Sequence, residues 1–285
     1  MDYLFKDTTK WESSLLNFLP EQVHIRYLKI ILGLHKSAVN VAVLSETGRF
    51  PLAIYATKNT LRFWHHLVTQ TSNSLAKNAY DYSLDANTGI CYKLQLILNL
   101  LNFNHVWENQ NTPSINGLSR ALLSKLKDRY QKYWKSCLTE GNFNYMSKLR
   151  SYKVIKEEYK LETYLLTDVD KKFVSYFTKL RISNSKLMIE EGRHHNVPIE
   201  IRICPLCKND IENELHFLME CNQLHDLRQK LFENLTEIVP AFANMNTDDK
   251  FKFIMSSNDY DINKACVNGI GNMYEKRLEY SNEKQ

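Results

Sequence analysis

"RALLSKLKDRYQKYWKSCL" (residues 120–138) carries Leu122, Leu123, Leu126, Tyr130, Tyr133, Trp134 and Cys137 at i, i+3, i+4, i+7 spacing. That period places them on one face of an α-helix, whereas a strand would split them between its two faces. Lys125, Arg129 and Lys132 keep the same spacing on another face. The stretch therefore predicts an amphipathic helix that buries an aromatic and aliphatic stripe and turns cations outward.

The same reading extends along the chain. Helices are expected over 20–34, with Pro20 in the first turn and Gly33 at the end, and over 37–48, stopping at Gly48. Further helices are expected over 50–71 and 87–103, near 145–160 and over 167–181. Two weaker ones follow residue 245, ending in the polar, frayed "EYSNEKQ". His65 and His66, adjacent on a helix, face apart and are read as structural. Eight Gly and six Pro in 285 residues provide too few turns for a β-sandwich. The fold class is thus mostly α: a multi-helix array with a small zinc-stapled segment in the C-terminal quarter. The loop "ENQNTPSINGLS" (108–119) is the best internal boundary. The expected regions are 1–110, helical; 111–195, a basic helical region and linker; 196–235, a zinc-binding segment; and 236–285, a helical tail.

A hydrophobic share of 44% is that of a chain with a core and not of a disordered one. The start "MDYLFKDTTKW" lacks the basic and apolar regions of a secretory signal. The runs "YLKIILGL" (27–34) and "LQLILNLLNF" (94–103) fall short of the roughly 20 residues of a membrane span. The expectation is an intracellular protein of the nucleus or cytoplasm, not secreted and with no membrane partner. In that setting cysteines seldom form disulfide frameworks.

Net charge is only +5, yet residues 119–187 hold sixteen Lys/Arg against seven Asp/Glu, a local balance of +9. A basic block within a nearly neutral chain is the footprint of a polyanion binder. Read alone, such a run is more often a solvated lysine-rich helical surface. The residues expected to contact phosphates are Lys125, Arg129, Lys132, Lys171, Lys172, Arg181 and Arg193, with RNA or DNA as partner.

"CPLCKNDIENELHFLMEC" (204–221) sets Cys204, Cys207, His216 and Cys221 at Cys-x2-Cys-x8-His-x4-Cys spacing. A two-residue gap turns two sulfurs toward one ion, and a His and a third Cys on the following turn close a tetrahedron. Three thiolates and Zn²⁺ sum to −1, a charge that Arg202 and Lys208 are placed to offset. All four positions are protein-filled, so the expected Zn²⁺ is structural. His225 gives an alternative set, Cys204, Cys207, Cys221 and His225. Cys91, Cys137 and Cys266 are isolated and read as packing residues.

Two stretches resemble the C-terminal region of non-LTR (LINE-type) retrotransposon proteins, downstream of the reverse transcriptase palm. One is "VHIRYLKIILGLHKSAVNVAVLSETGRFPL" (23–52), with Leu32-Gly33-Leu34-His35-Lys36 and the tail Leu44-Ser45-Glu46-Thr47-Gly48-Arg49-Phe50-Pro51-Leu52. The other is "FTKLRISNSKLMIEEGRHHNVPIEIRICPLCKNDIENELHFLMECNQLHDLRQKLF" (177–232), with Leu180-Arg181-Ile182-Ser183 and Glu191-Gly192-Arg193 leading to the cysteines. Together they cover about 85 residues. The resemblance implies thumb-like helices, then a basic linker and a zinc segment that uses Cys204, Cys207, His216 and Cys221. Asn222 departs from the family, which has Pro after the last Cys.

Reverse transcription needs paired carboxylates on an apolar hairpin to hold two metal ions. The only Asp-Asp pair is Asp248-Asp249, in a polar stretch, and no endonuclease constellation appears. The resemblance therefore implies a non-catalytic remnant without the polymerase: a truncated copy, a fragment or a domesticated piece. The intact parent would be an RNA-directed DNA polymerase.

Overall fold

The computed structural model describes residues 16, 18–70, 74–139 and 148–282. The opening "MDYLFKDTTKW", residue 71 and residues 145–147 of two expected helices, and the last residues of "EYSNEKQ" lie outside that description. Among the described residues the chain is α-helical, without strands. Helices α1 (Leu19–Ile31), α2 (Asn40–Glu46), α3 (Leu52–Thr69), α4 (Leu75–Asp85), α5 (Gly89–Leu100), α6 (Asn104–Glu108) and α7 (Ile115–Thr139) precede α8 (Tyr152–Ile155) and α9 (Lys171–Arg181). Then come α10 (Met188–His194), α11 (His225–Ile238), α12 (Thr247–Ser256) and α13 (Tyr260–Asn282). No described helix is long and apolar enough to cross a membrane.

Two compact units emerge. The first holds the described residues up to Ile25 and Phe50–Ser136. Its core contains the stripe read from the sequence, with Leu122, Leu126, Tyr130 and Trp134 buried. Trp64 stacks on Trp107 at 6.4 Å and donates its indole N–H to Tyr80 Oη at 3.1 Å. Pro51, at the N-cap of α3, has no side chain to cap the helix; the buried Glu21 carboxylate takes the backbone N–H of Leu52 instead, at 2.5 Å.

The second unit holds Arg26–Arg49 and Cys137–Gln285. Its frame is α13, which packs along α9 and α11. Tyr274 of α13 stacks on Tyr176 of α9 at 4.5 Å and meets Phe217 edge-on at 5.9 Å. This division differs from the regions read from the sequence. The loop at 108–119 lies inside the first unit, and α7 begins within it. Residues 26–49 belong with the C-terminal half, because Glu46 and Gly48 are pinned there.

Gly48 (φ +60°) ends the α2 turn against the bridge between Thr47 and Leu161. A Cβ at Gly48 would lie 2.5 Å from the Leu161 backbone nitrogen, so no other residue fits without displacing the main chain. The helix expected near 145–160 is reduced to the four residues of α8. Past it the chain extends to pair with residues 46–47, the Glu162 N–H reaching Glu46 O at 3.0 Å. That path carries Lys156 inward to Glu162, which a continued helix would not do.

Candidate metal centre

Residues 203–211 form a short hairpin. Ile203 and Ile211 bridge, the Cys204 N–H meets Asp210 O at 2.8 Å, and the Lys208 N–H meets Cys204 O at 2.9 Å. Lys208 closes the knuckle in the left-handed region (φ +59°). A π-turn over His216–Glu220 follows, in which the Cys221 N–H bonds His216 O at 2.8 Å; Asn213 Oδ1 accepts the His216 N–H at 2.8 Å. The turn brings His216 and Cys221 to bear on one point, across from the knuckle.

The ligand atoms of Cys204, Cys207, His216 and Cys221 all lie within 4.8 Å of one another. Cys204 Sγ is 3.9 Å from Cys221 Sγ, and Cys207 Sγ is 3.4 Å from His216 Nε2. Metal–ligand bonds of about 2.3 Å to sulfur and 2.0–2.1 Å to nitrogen give tetrahedron edges of roughly 3.8 and 3.5 Å. The two observed edges match. The cluster can therefore hold a metal ion by Nε2 of His216 and three sulfurs. His225, the alternative ligand, is exposed and stands outside the set.

Without metal, Cys204 and His216 hold their protons more tightly than usual. The hydrogen bond with Cys221 and burial push the Cys204 thiol up to about 12, while the same contact lowers Cys221. Hydrogen bonding to Cys204 raises His216 to about 9. An incoming cation must displace protons from the set. On the far side of the ring, His216 Nδ1 is buried and lies 3.7 Å from Glu220 Oε2, beyond hydrogen-bond length. Glu220 is half exposed and is the carboxylate nearest to this nitrogen in the turn, the kind of group that orients a metal-bound imidazole when hydrogen-bonded to it.

Two carboxylates between the ligands tie the centre to the unit, and the sequence reading missed both. Glu212, fully buried, takes a two-pronged contact from Arg277 of α13: Nε to Oε1 at 2.9 Å and Nη2 to Oε2 at 3.0 Å. Glu214, also buried, takes Arg150 Nε at 3.1 Å and Nη2 at 2.5 Å. Nothing local in "DIENELHF" marks them, because their partners lie at residues 277 and 150. The segment is thus not an independent zinc module but part of the second unit. The offsetting charge also differs from expectation. Arg202 donates to the backbone oxygens of Val197 (2.9 Å) and Ile189 (3.0 Å), and Lys208 is exposed. Buried Arg228 is the cation at the ligands, with Nη1 3.0 Å from Cys221 O.

The expected phosphate contacts divide. Lys125 and Lys132 are exposed and Arg129 half-buried in the first unit, with Lys125 Nζ donating to Leu101 O at 2.6 Å. Lys171 and Lys172 are exposed in the second unit, where Lys172 pairs with Glu275. Arg193, half-buried, pairs with Glu190. Arg181 is a correction: it is 1% exposed and bound to Glu46 and Glu162, so no phosphate reaches it. Cys91, Cys137 and Cys266 are buried and stand apart from the ligand cluster. Asp248 and Asp249 open α12, where Asn246 caps the Asp249 N–H at 2.8 Å. Set against known protein families, curated proteins and solved structures, the chain shows no significant match to any.

Proposed function

We propose that the chain is a non-catalytic, zinc-stapled nucleic-acid-binding module, akin to the C-terminal region of LINE-type retrotransposon proteins without their polymerase. The observation that carries this reading is the crowding of cations in the second unit. Burial and Lys148 depress the proton affinity of Lys29; burial and Arg193 depress that of Lys148; burial and Lys186 depress that of Lys179. Burial is the larger cause in each case and the neighbouring cation adds to it; an anion that neutralises the cluster relieves the repulsive part. The phosphates of RNA or DNA are such anions; exposed Lys171 and Lys172 add cations to the second unit, and the first unit carries exposed Lys125 and Lys132 of its own.

Three thiolates and an imidazole at tetrahedral spacing favour Zn²⁺ over harder ions. Four protein ligands complete its coordination, so the metal's role is to hold the 204–221 segment in place. The test is binding to labelled single-stranded RNA and duplex DNA across a salt series. The reading expects log affinity to fall linearly with log salt; a slope near zero contradicts it.

A second reading is a helical protein-interaction module, or an inert retroelement fragment, in which zinc is purely structural. It is favoured by Tyr27, Ile30 and Ile31, which are 61, 68 and 60% exposed in the second unit. Salt-independent capture by a protein partner, with no nucleic-acid binding, is its outcome in the same series.

A further inference from the structure

The second unit has a groove of about 620 Å³ whose lining the metal centre does not use. One wall is the Gly33–Ser37 loop. The other is the turn at residues 184–186 with α10, and Tyr176, Tyr274 and Leu278 form the floor. The loop is rigidly held. Lys29 Nζ donates to Lys36 O at 2.9 Å, Lys148 Nζ to Ser37 O at 3.3 Å, and the His35 N–H to Asn184 Oδ1 at 2.9 Å.

Lys179 and Lys186 lie on this lining, and no carboxylate pairs with either among the described residues. Lys179 Nζ sits 5.6 Å from the Tyr176 ring centroid. His35 and His194 add imidazoles, and Arg193 and Lys148 stand close enough to His194 to depress its proton affinity beyond the effect of burial. Of the two acids on the lining, one is engaged elsewhere and the other feels a buried cation without pairing to it. Glu190 is bound by Arg150 and Arg193, and Glu191 lies in the field of Arg277. The groove thus joins free ammonium groups to an apolar floor within the size of a nucleotide site.

We propose that this groove takes one or two nucleotides of an unpaired RNA or DNA strand, with phosphate on Lys179 and Lys186 and a base against Leu34, Tyr176 and Leu278. The inference rests on the nucleic-acid reading above and narrows it to single strands. A duplex keeps its bases stacked inside and offers the lysines only its phosphates, leaving the floor unused. An unpaired strand can turn a base inward while its phosphate stays at the rim. The preformed loop lowers the ordering cost of that contact.

The experiment uses the full chain with its metal and measures anisotropy of a labelled oligouridylate, an oligothymidylate and a DNA duplex over a salt series. Wild type is expected to prefer the single strands. The K179A/K186A variant, which removes two partly or fully exposed side chains, should keep the wild-type far-UV spectrum. It should lose roughly tenfold or more in single-strand affinity and about 1.4 from the salt slope, two contacts at about 0.7 each. Its duplex affinity should change less than its single-strand affinity. K171A/K172A, outside the groove, should weaken single and double strands alike. Wild-type-like single-strand binding by K179A/K186A, with salt-dependent binding by wild type, overturns the groove alone. Salt-independent or undetectable binding by wild type overturns the nucleic-acid reading and the groove with it.

Discussion

Arg181 and Glu46, 135 positions apart, form a two-pronged buried ion pair, with Nε to Oε2 and Nη2 to Oε1 both at 3.0 Å. Glu162 and Tyr164 join the pair: Arg181 Nη2 is 2.9 Å from Glu162 Oε2, and Tyr164 Oη donates to Glu46 Oε2 at 2.6 Å. Against the cost of burial, Glu46 and Glu162 hold the guanidinium above its ordinary pKa. Burial, the largest single influence, works against Glu46 as well, and Arg181, Lys156 and Tyr164 together outweigh it to hold the carboxyl low. The contact joins the stretches 23–52 and 177–232. It gives Glu46 and Arg181 a structural role within the second unit.

Removing one partner strands the other in a low-dielectric interior. Arg181→Met or Glu46→Gln is expected to cost about 3–5 kcal/mol of unfolding free energy. Urea melts of the singles and the double measure it. The double should lose less than the sum of the singles; simple additivity would show that the pair is not coupled.

Gly48→Ala should destabilise by about 1–3 kcal/mol, since the left-handed backbone and the nearby Leu161 nitrogen both oppose a Cβ. An unchanged thermal midpoint would mean that residues 47–48 do not pair with 161 as described.

The Glu212–Arg277 contact predicts that the metal centre depends on the last helix. Arg277→Met should weaken metal affinity by about 10–100-fold while all four ligands remain. A chelator competition reads this directly. Glu220→Gln should have a smaller effect, because Glu220 stands 3.7 Å from the imidazole.

Metal binding should be strongly pH-dependent. Cys204 and His216 carry raised pKa values when metal-free, so protons compete with the ion. Affinity should therefore rise with pH and fall steadily from pH 8 toward pH 5. A pH-independent affinity would mean that these groups are not the ligands.

The helices were legible where a long apolar period existed: 20–34, 50–71, 87–103, 120–138 and 167–181 each meet a helix. The ligand set was legible because Cys-x2-Cys-x8-His-x4-Cys is a local pattern, and its four atoms meet in one turn and one knuckle. Long-range pairing was not. Nothing near Arg181 distinguishes a cation that meets Glu46 from one that meets phosphate; both read as a lysine- and arginine-rich helix. Glu212 and Glu214 were passed over for the same reason, their partners lying at residues 277 and 150. The helix expected around α8 is shortened because backbone pairing of residues 161–162 with residues 46–47, and not local propensity, sets the path beyond it.

The central claim is that Cys204, Cys207, His216 and Cys221 enclose one metal ion. Cobalt substitution of the purified chain, with metal content measured in parallel, tests it most directly. The account predicts about one equivalent of metal and the intense visible bands of tetrahedral cobalt with thiolate charge transfer, with stoichiometry lost in C221S and kept in C266S. Weak octahedral-type absorption, or the same spectrum and stoichiometry in C221S as in wild type, would contradict it.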